Sequence, residues 1–246
     1  MNILNPERKI KKIESPYEIW ILDDFLLPEV PEKINAEWPS NDDPVWFRGI
    51  EQVDGKKNIL EQGMLAISSY DKMPTHAREL LQYFHTPEFT EKIAEITGKS
   101  GLLPDETVRW SGVRAMLPGG FQLIHSDARK NPISGMKKEL TVLYYLNKDY
   151  NKERDAGCLE VWDDDMTHCV HEIEPLYNRL VIFLCSDTSF HGVPKVNKER
   201  HLLTFSIVKD EESTNRMKAL FVARPTDSDE VRELGIKRSL VEDKKY

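Results

Sequence analysis

Side chains that can bind a metal ion stand in two short stretches of this 246-residue chain. His125 and Asp127 lie two apart in an alternating apolar run, so on an extended strand both point the same way and can bind one ion from one side. A third imidazole, His191, begins a second strand-like run. Arg200 follows nine residues later, and its planar guanidinium suits a carboxylate. Two histidines and one carboxylate on one face of a metal leave its other positions open for small molecules.

A lone His-x-Asp pair is common by chance, so the segments between these two stretches matter for the interpretation. They are Glu139–Tyr150, with the run Tyr-Tyr-Leu-Asn, then Gly157–Trp162, and then Ile173–Phe183. In that order, ending at His191 and Arg200, residues 112–208 resemble the catalytic core of the Fe(II)/2-oxoglutarate-dependent oxygenases, specifically the prolyl 4-hydroxylase-like branch. The arrangement of two histidines and one carboxylate is also the one that non-haem Fe(II) oxygenases use.

The resemblance assigns a role to five residues. It implies that His125, Asp127 and His191 are the iron ligands. Arg200 would bind the distal carboxylate of 2-oxoglutarate, and Tyr145 matches a position that often hydrogen-bonds the same carboxylate. The implied cofactors are Fe(II), 2-oxoglutarate as cosubstrate and O2, with ascorbate as a candidate stimulant.

Two positions depart from the pattern of the branch. The branch commonly has a tyrosine before the Pro-Gly that precedes the His-x-Asp strand, and here Leu117 stands before Pro118. The family's Arg-x-Ser becomes Arg-x-Leu at Leu202. A leucine side chain cannot form the hydrogen bond that the tyrosine hydroxyl or the serine hydroxyl would make at these positions.

The reaction that the resemblance implies is hydroxylation of an unactivated C–H bond, coupled to decarboxylation of 2-oxoglutarate to succinate. Halogenating relatives replace the carboxylate ligand with a small residue, so the presence of Asp127 favours hydroxylation. A prolyl or other peptidyl residue is the first candidate for the substrate, and a small metabolite is the second. A fold does not fix a substrate, so both stay open.

Two other classes of protein remain as alternatives. A cupin-like metal enzyme that does not use 2-oxoglutarate would keep His125, Asp127 and His191 but would not need Arg200 on an inner strand face. A non-catalytic jelly-roll binding protein would use the histidines only for packing. The four residues in family order favour the oxygenase over both.

The composition is that of an ordinary globular protein, with 39% hydrophobic and 31% charged residues. The net charge of −8 argues against a surface that binds polyanions, so nucleic acid is not an expected partner. No apolar run approaches the roughly 18 residues that span a membrane, and the N-terminus lacks a signal-peptide pattern. Three cysteines provide no disulfide framework, which fits a reducing compartment. We therefore expect a cytoplasmic protein whose oligomeric state is open.

The chain is expected to form a single domain with three parts. Residues 1–106 form a helical and mixed N-terminal preface, 107–208 the catalytic core, and 209–246 a C-terminal extension that either covers the barrel mouth or projects from it. In the preface we expect a strand from Ile19, loops with short strands over 40–73, and three helices. These helices are predicted near 31–38, over 75–85, and from an N-cap at Thr86 to Ile96. One more helix is predicted over 228–234, ending at Gly235.

From Thr107 onwards the hydrophobic period changes to two. Eight strands are predicted, namely 107–117, 121–127, 139–147, 157–162, 168–174, 179–185, 189–194 and 200–208. Eight short strands after helices indicate a mainly β (α+β) fold with a double-sheet jelly roll, and the resemblance implies the same double-stranded β-helix.

The strand phase predicts which side chains face the site. Leu202, Thr204 and Ser206 share the face of Arg200, whereas Leu203, Phe205 and Ile207 lie on the packing face. By the same rule, one inward set is Phe121, Leu123 and His125, and another is Thr141, Leu143 and Tyr145.

Other clusters carry a weaker signal. His168, Cys169 and His171 lack a partner pair at zinc-like spacing, and we expect an exposed strand edge there. The run 163–165 of three aspartates lacks the glycine and glutamate of a calcium loop, so we expect a solvated turn. Trp110, Arg114 and Trp162 are candidate substrate contacts, although large aromatic residues in jelly rolls usually belong to the core.

Overall fold

The computed structural model describes residues 3–49, 52–53, 56–212, 215–225 and 227–240. Some residues of the predicted preface and C-terminal extension, including 241–246, therefore lie outside the described residues. The strands are β1 (Lys9–Ile13), β2 (Ile19–Asp23), β3 (Phe47–Arg48), β4 (Gln52–Val53), β5 (Lys56–Lys57), β6 (Glu61–Ile67), β7 (Leu103–Pro104), β8 (Gly112–Ser126), β9 (Lys137–Tyr145), β10 (Leu159–Trp162), β11 (Cys169–Ile173), β12 (Arg179–Leu184), β13 (His191–Val193), β14 (Arg200–Lys209) and β15 (Leu220–Phe221). The helices are α1 (Glu29–Ala36), α2 (Thr75–Phe84), α3 (Pro87–Thr97), α4 (Lys152–Asp155) and α5 (Asp229–Leu240), with a 3-10 turn at Tyr70–Lys72.

Two antiparallel layers share the long strand β8. The first half of β8 pairs with β14, with Arg200 opposite Met116, and its second half pairs with β13, with His191 opposite His125. From β14 the first layer continues through β9, β12, β2 and β1, whereas from β13 the second continues through β10 and β11. This is the predicted mainly β fold with a jelly-roll core and packing helices.

The change of layer occurs at the Pro-Gly-Gly sequence inside β8. A Cβ atom added at Gly120 would lie 2.8 Å from the Gln62 oxygen and 2.7 Å from Cγ of Met116, so only glycine allows β6 to approach this bend. The predicted strands 107–117 and 121–127 are therefore wrong as separate elements, because β8 runs through the bend. Residues 107–111 are not a strand, since Val108 has a φ of +54° and Asp105 accepts a hydrogen bond from the Thr107 amide.

Aromatic packing holds the helices on the outer face of the first layer. The Phe84 ring of α2 stacks on Phe205 of β14 with 4.8 Å between ring centroids, and Phe89 of α3 lies 5.9 Å from the same ring. At the start of α3, Oγ1 of Thr86 accepts a hydrogen bond from the Phe89 amide. All three phenylalanines are buried, and each contributes about 2 kcal/mol from burial. The structure confirms the N-cap and both predicted helices to within a residue.

The alternation along β9 and β14 separates this outer core from the space between the layers. Leu203, Phe205 and Ile207 belong to the core under the helices, as do Val142 and Tyr144. A second cluster fills one end of the space between the layers, where Tyr145 and Leu202 pack with Tyr17, Leu159 and Phe183. The predicted packing face of β14 is thereby confirmed.

Two further expectations need correction. Residues 40–73 contain a seven-residue strand, β6, which pairs with β8 and extends the first layer. The predicted end of the last helix at Gly235 is wrong, because α5 continues to Leu240. A Cβ atom at Gly235 would lie 3.0 Å from the Phe221 oxygen, so this glycine lets the helix approach β15 instead of ending it. None of the described helices is both long and apolar enough to cross a membrane.

Candidate active site

The two halves of the jelly roll bring His125, Asp127 and His191 together. Asp127 Oδ1 lies 3.8 Å from Nε2 of His125 and 3.9 Å from Nε2 of His191. Bonds from such ions to nitrogen or oxygen are about 2 Å long, so atoms at this spacing can bind one ion between them. Among the described residues, these three form the only group of His, Cys, Asp or Glu side chains that meets the spacing for a metal ion.

Backbone carbonyl groups orient the two imidazoles. Nδ1 of His125 lies 3.0 Å from the Leu123 oxygen, and Nδ1 of His191 lies 2.9 Å from the Ser189 oxygen. A proton on each Nδ1 donates to these oxygens, which leaves the lone pair of Nε2 for a metal. Burial, together with His191, lowers the pKa of His125 to about 4, and burial also lowers the pKa of His191. Both rings are therefore neutral near pH 7, as metal ligands must be.

Asp127 is held through one oxygen. Oδ2 accepts hydrogen bonds from Nζ of Lys138 at 2.8 Å and from Oγ1 of Thr141 at 2.6 Å. Burial alone would raise the pKa of Asp127, but the positive charge of Lys138 and its hydrogen bond to the carboxylate hold this pKa well below its usual range. The carboxylate is thus ionised, and Oδ1 faces the two Nε2 atoms. This donor set fits a divalent ion such as Fe(II), with one carboxylate and two neutral imidazoles.

Arg200 and Tyr145 meet on the same inner face of the first layer. Nη2 of Arg200 donates to the Tyr145 hydroxyl at 2.9 Å, and Nε donates to the Gly157 oxygen at 3.0 Å. Burial raises the pKa of Tyr145, although Arg200 opposes this, so the phenol keeps its proton. The guanidinium has five N–H donors, and those not used in these two bonds can bind a carboxylate.

All five predicted site residues lie close to one cavity of about 260 Å³ between the two layers. His125, Asp127, His191 and Arg200 line its wall, whereas Tyr145 lies behind Arg200 and accepts its hydrogen bond. Leu143, Leu159, Phe183, Val193 and Leu202 give the cavity apolar sides. A carboxylate in such a partly apolar space binds a guanidinium more strongly than it does in water.

The remaining candidate contacts divide into two groups. Trp110 and Arg114 line the cavity, and the Trp110 ring lies under Nζ of Lys138 at 5.0 Å from its centroid. Trp162 is absent from the cavity wall and donates instead from Nε1 to Glu160. Leu202 lines the cavity without a hydroxyl, and Leu117 lines a neighbouring depression.

Along the His-x-Asp stretch, only His125 and Asp127 face the cavity as predicted, whereas Phe121 and Leu123 do not line it. Leu123 packs with Leu60 and Phe221 on the far side, and Gln122 lines the cavity in its place. The cause is an irregular register between β8 and β13, in which three steps from Gln122 to His125 oppose two steps from Val193 to His191. Such a bulge reverses the facing of the residues before it.

Sequence reasoning missed the partners that orient the three potential metal ligands. The sequence does not predict that Lys138 faces the cavity. The register between β14 and β9 is irregular near Val208, and this irregularity changes which face the residues of β9 before Leu140 occupy. Thr141 could be found from the strand phase, but its bond to Asp127 could not. The Leu123 and Ser189 carbonyl groups each stand two residues before a histidine, and this spacing is the only local signal for them.

The two clusters with a weaker signal, the one around Cys169 and the aspartates at 163–165, lie at the surface as expected. Cys169 is exposed, Nδ1 of His168 pairs with Asp163, and Nε2 of His171 lies 2.9 Å from the Ser15 oxygen. Asp163 accepts hydrogen bonds from the amides of Thr167 and His168 in the turn between β10 and β11. These residues form a surface turn and strand edge.

Comparison with known proteins supports the same core. The model of the 2OG-Fe(II) oxygenase superfamily matches residues 111–207. Among curated proteins, none matches the chain. A Pseudomonas putida prolyl-4-hydroxylase is similar in structure, with a TM-score of 0.58 and 18% identity over 80% of this chain and 95% of that chain.

Two more solved structures share this fold. One is a prolyl hydroxylase from Trichoplax adhaerens in complex with a peptide fragment of the hypoxia inducible factor oxygen degradation domain, with a TM-score of 0.57 and 16% identity over 78% of this chain and 84% of that one. The other is a prolyl 4-hydroxylase from Phytophthora capsici, with a TM-score of 0.53 and 19% identity over 89% and 68% of the two chains. At such identities the structures show the fold. The family match covers residues 111–207, nearly the same stretch that carries the resemblance, and agrees with it.

Proposed function

We propose that this chain is a dioxygenase that hydroxylates an unactivated C–H bond and converts 2-oxoglutarate to succinate and CO2. The observation that carries this proposal is the convergence of two groups on one cavity. Three potential metal ligands line it near one end of β8, and the Arg200–Tyr145 pair lies on the facing strands β14 and β9. The family match over residues 111–207 supports the same reaction.

In this proposal Nε2 of His125, Nε2 of His191 and Oδ1 of Asp127 hold Fe(II). The chemistry that bound iron supplies is the activation of O2 for oxidative decarboxylation of the cosubstrate and oxygen transfer to the substrate. Lys138 and Thr141 keep Oδ2 of Asp127 occupied, so the carboxylate offers one oxygen to the metal. The Leu123 and Ser189 carbonyl groups keep the proton of each imidazole on Nδ1.

The distal carboxylate of 2-oxoglutarate is assigned to Arg200. The guanidinium is buried and fixed by the Gly157 oxygen, so it meets the carboxylate with little loss of rotamer entropy. Because Arg200 donates to the Tyr145 oxygen, the phenol proton is left to donate to the same carboxylate. Leu202 supplies no hydroxyl, so the apolar wall beside Arg200 excludes water from this ion pair.

For the substrate we propose a peptidyl residue, with proline as the first candidate. A depression of about 470 Å³ lies next to the cavity, and Met64 lines both, which supports a site for an extended ligand that enters from the surface. The Trichoplax adhaerens relative in complex with a peptide supports the same class. Trp110 and Arg114 are the proposed substrate contacts at the cavity wall.

We also propose a cytoplasmic location, where Fe(II) stays reduced.

The test is turnover by protein reconstituted with Fe(II), 2-oxoglutarate and O2, with proline-containing peptides and small metabolites offered separately. We expect succinate release that is stimulated by a peptide, and an added oxygen atom in the peptide mass. Asp127→Ala should abolish both signals, and exposed Asp164→Ala serves as the matched control. Stimulation by a metabolite alone would assign the other substrate class, and the absence of succinate in every mixture would contradict the reaction.

The two alternatives make different predictions for single variants. If the protein is a cupin-like enzyme, the Arg200→Ala variant should keep nearly the wild-type turnover, because that enzyme would not need a partner for a cosubstrate carboxylate. A binding protein would be isolated without metal, and His125→Ala would change only its stability. The oxygenase predicts that Arg200→Ala raises the 2-oxoglutarate concentration needed for turnover by about tenfold or more, since a hydrogen-bonded charge pair is lost.

A further inference from the structure

A short segment near the C-terminus lies directly against β8, the strand that contains His125 and ends one residue before Asp127. In β15, Leu220 pairs with Ser126 and Phe221 pairs with His125. The Val222 amide continues the contact and donates to the Ile124 oxygen at 3.1 Å. This segment, 215–222, lies beyond residues 111–207, which the superfamily model matches. The edge of the metal site is therefore built partly from outside that core.

Arg216 connects the two stretches that bear the ligands. Nη1 donates to the Ser126 oxygen at 3.1 Å, between His125 and Asp127, and Nη2 donates to Oδ1 of Asp187 at 3.0 Å. Asp187 belongs to the loop that leads to His191, in which the Ser189 oxygen orients the His191 ring. The main-chain oxygen of Arg216 accepts from the amides of Arg129 and Lys130. One side chain and its backbone thus contact both flanks of Asp127 and the His191 loop.

Phe221 makes the second connection. Its ring is buried, and its centroid lies 5.2 Å from that of the His125 ring. Leu60 and Leu234 pack with it in a small apolar cluster. Helix α5 contacts β15 closely at Gly235, as described above, so Phe221 lies between this helix and the His125 ring. The position of an imidazole that offers Nε2 to a metal thereby depends on a residue nearly one hundred positions further along the chain.

We propose that segment 215–222 is a positioning part of the metal centre, in which Arg216 and Phe221 hold the ligand-bearing stretches at the spacing that an ion requires. The inference rests on the proposed function, because it takes His125, Asp127 and His191 as ligands. Ligands that are fixed before binding lose less conformational freedom when the metal arrives, so affinity rises without any new bond to the ion. Arg216 and Phe221 do not touch the ion, and they act through Ser126, Asp187 and His125.

The experiment measures the dissociation constant for Mn(II), taken as a redox-stable stand-in for Fe(II), from the free-ion EPR signal of the full-length protein. The variants are Arg216→Ala, Arg216→Lys and Phe221→Leu. Arg224→Ala is the matched control, since Arg224 belongs to the same extension but pairs with Asp227. We expect binding that is about 3- to 10-fold weaker in Arg216→Ala and Phe221→Leu, an intermediate loss in Arg216→Lys, and no change in the control.

A second readout separates positioning from general destabilisation. At saturating Mn(II), the affinity for 2-oxoglutarate should stay at the wild-type value in every variant, because Arg200 is held by the Tyr145 hydroxyl and the Gly157 oxygen and not by Arg216 or Phe221. Metal affinity unchanged in both Arg216→Ala and Phe221→Leu would overturn the inference. Parallel losses of metal and 2-oxoglutarate affinity would overturn it as well, because they indicate a fold defect. If the wild type binds no Mn(II), the proposed function itself fails, and this result is distinct from either.

Discussion

At the scale of single residues, the neighbours of the three proposed metal ligands determine which of their atoms are free to bind an ion. Each imidazole has a backbone carbonyl on Nδ1, and the carboxylate has two donors on Oδ2. The atoms left over, two Nε2 and one Oδ1, are those that face one another. These outer partners convert three common side chains into a donor set of one defined geometry.

The hydroxyl of Thr141 tests this view without a change of charge. Thr141→Val keeps the shape of the side chain but removes the donor to Oδ2 of Asp127. We expect metal affinity to fall by about tenfold, which is typical for loss of an outer partner, while the apoprotein stays folded. Titration with Mn(II) measures the change, and Thr90→Val, a buried threonine in α3, is the control. Equal affinity in the Thr141 and Thr90 variants would contradict the role of this hydrogen bond.

His85, which lies outside the candidate metal site, predicts that the stability of the fold depends on pH. Burial lowers its pKa from 6.5, outweighing the contact of Nδ1 with the Leu81 oxygen and the charge of Asp105. As the pH falls through about 6.5, the unfolded chain takes up a proton that the folded chain resists, so the free energy of unfolding decreases. We expect His85→Gln to lose less stability than the wild type between about pH 7.5 and about pH 5.5 in urea titrations. An equal loss in both proteins would show that His85 does not contribute.

At the scale of elements, the turn before β10 positions Arg200, the proposed partner of the cosubstrate. Gly157 has a φ of +79°, and its oxygen accepts the hydrogen bond from Nε of Arg200. A Cβ atom here would lie 2.6 Å from Cγ1 of Val196 and 3.5 Å from Cδ of Arg200. The turn and the strand that carries Arg200 therefore fit together only with glycine at this position.

Gly157→Ala should weaken 2-oxoglutarate binding while leaving metal binding intact. We expect a dissociation constant about tenfold higher, since displacement of one charge-assisted hydrogen bond costs about 1.5 kcal/mol. Gly135→Ala is the matched control, because Gly135 has a similar φ of +75° but no atom within 4 Å of the added Cβ. Calorimetric titration of the Mn(II)-loaded proteins measures the difference. The idea fails if both variants bind 2-oxoglutarate equally well.

The elements also show where sequence reasoning succeeds. The alternation along β14 and β9 places Arg200 and Tyr145 on one inner face, because those strands are regular over these residues. The N-cap at Thr86 marks the start of α3 for an equally local reason, the orphan amides of a first turn. Bulges defeat the same method, since the irregular register opposite Gln122 depends on a partner strand about 70 residues away.

At the scale of the whole molecule, long-range contacts carry what the sequence does not display. Tyr17 donates to the Phe190 oxygen beside His191, and Arg216 reaches Ser126 beside His125. Neither pair has a periodic or motif signal, because each joins parts of the chain that meet only in the folded state. The residues that belong to a motif could be predicted from the sequence, whereas Tyr17 and Arg216, which support them, could not.

The burial of the ligand set at the meeting of both layers predicts that metal binding stabilises the entire fold. At a metal concentration about one hundred times the dissociation constant, the gain is about 2.7 kcal/mol, or a melting temperature higher by roughly 5 to 10 °C for a chain of this size. His125→Ala should abolish the shift, and exposed His168→Ala should retain it. A shift of the same size in His125→Ala would place the stabilising metal elsewhere.

The most direct measurement is an anaerobic titration of the apoprotein with Fe(II) and then 2-oxoglutarate, followed in the visible spectrum. Chelation of the keto acid by the bound metal produces a weak metal-to-ligand charge-transfer band. We predict that this band appears in the wild type and is lost in Arg200→Ala at modest cosubstrate concentration, while Arg224→Ala retains it. Binding of Fe(II) without the band would favour a metal enzyme that does not use 2-oxoglutarate, and failure to bind Fe(II) would contradict the oxygenase assignment.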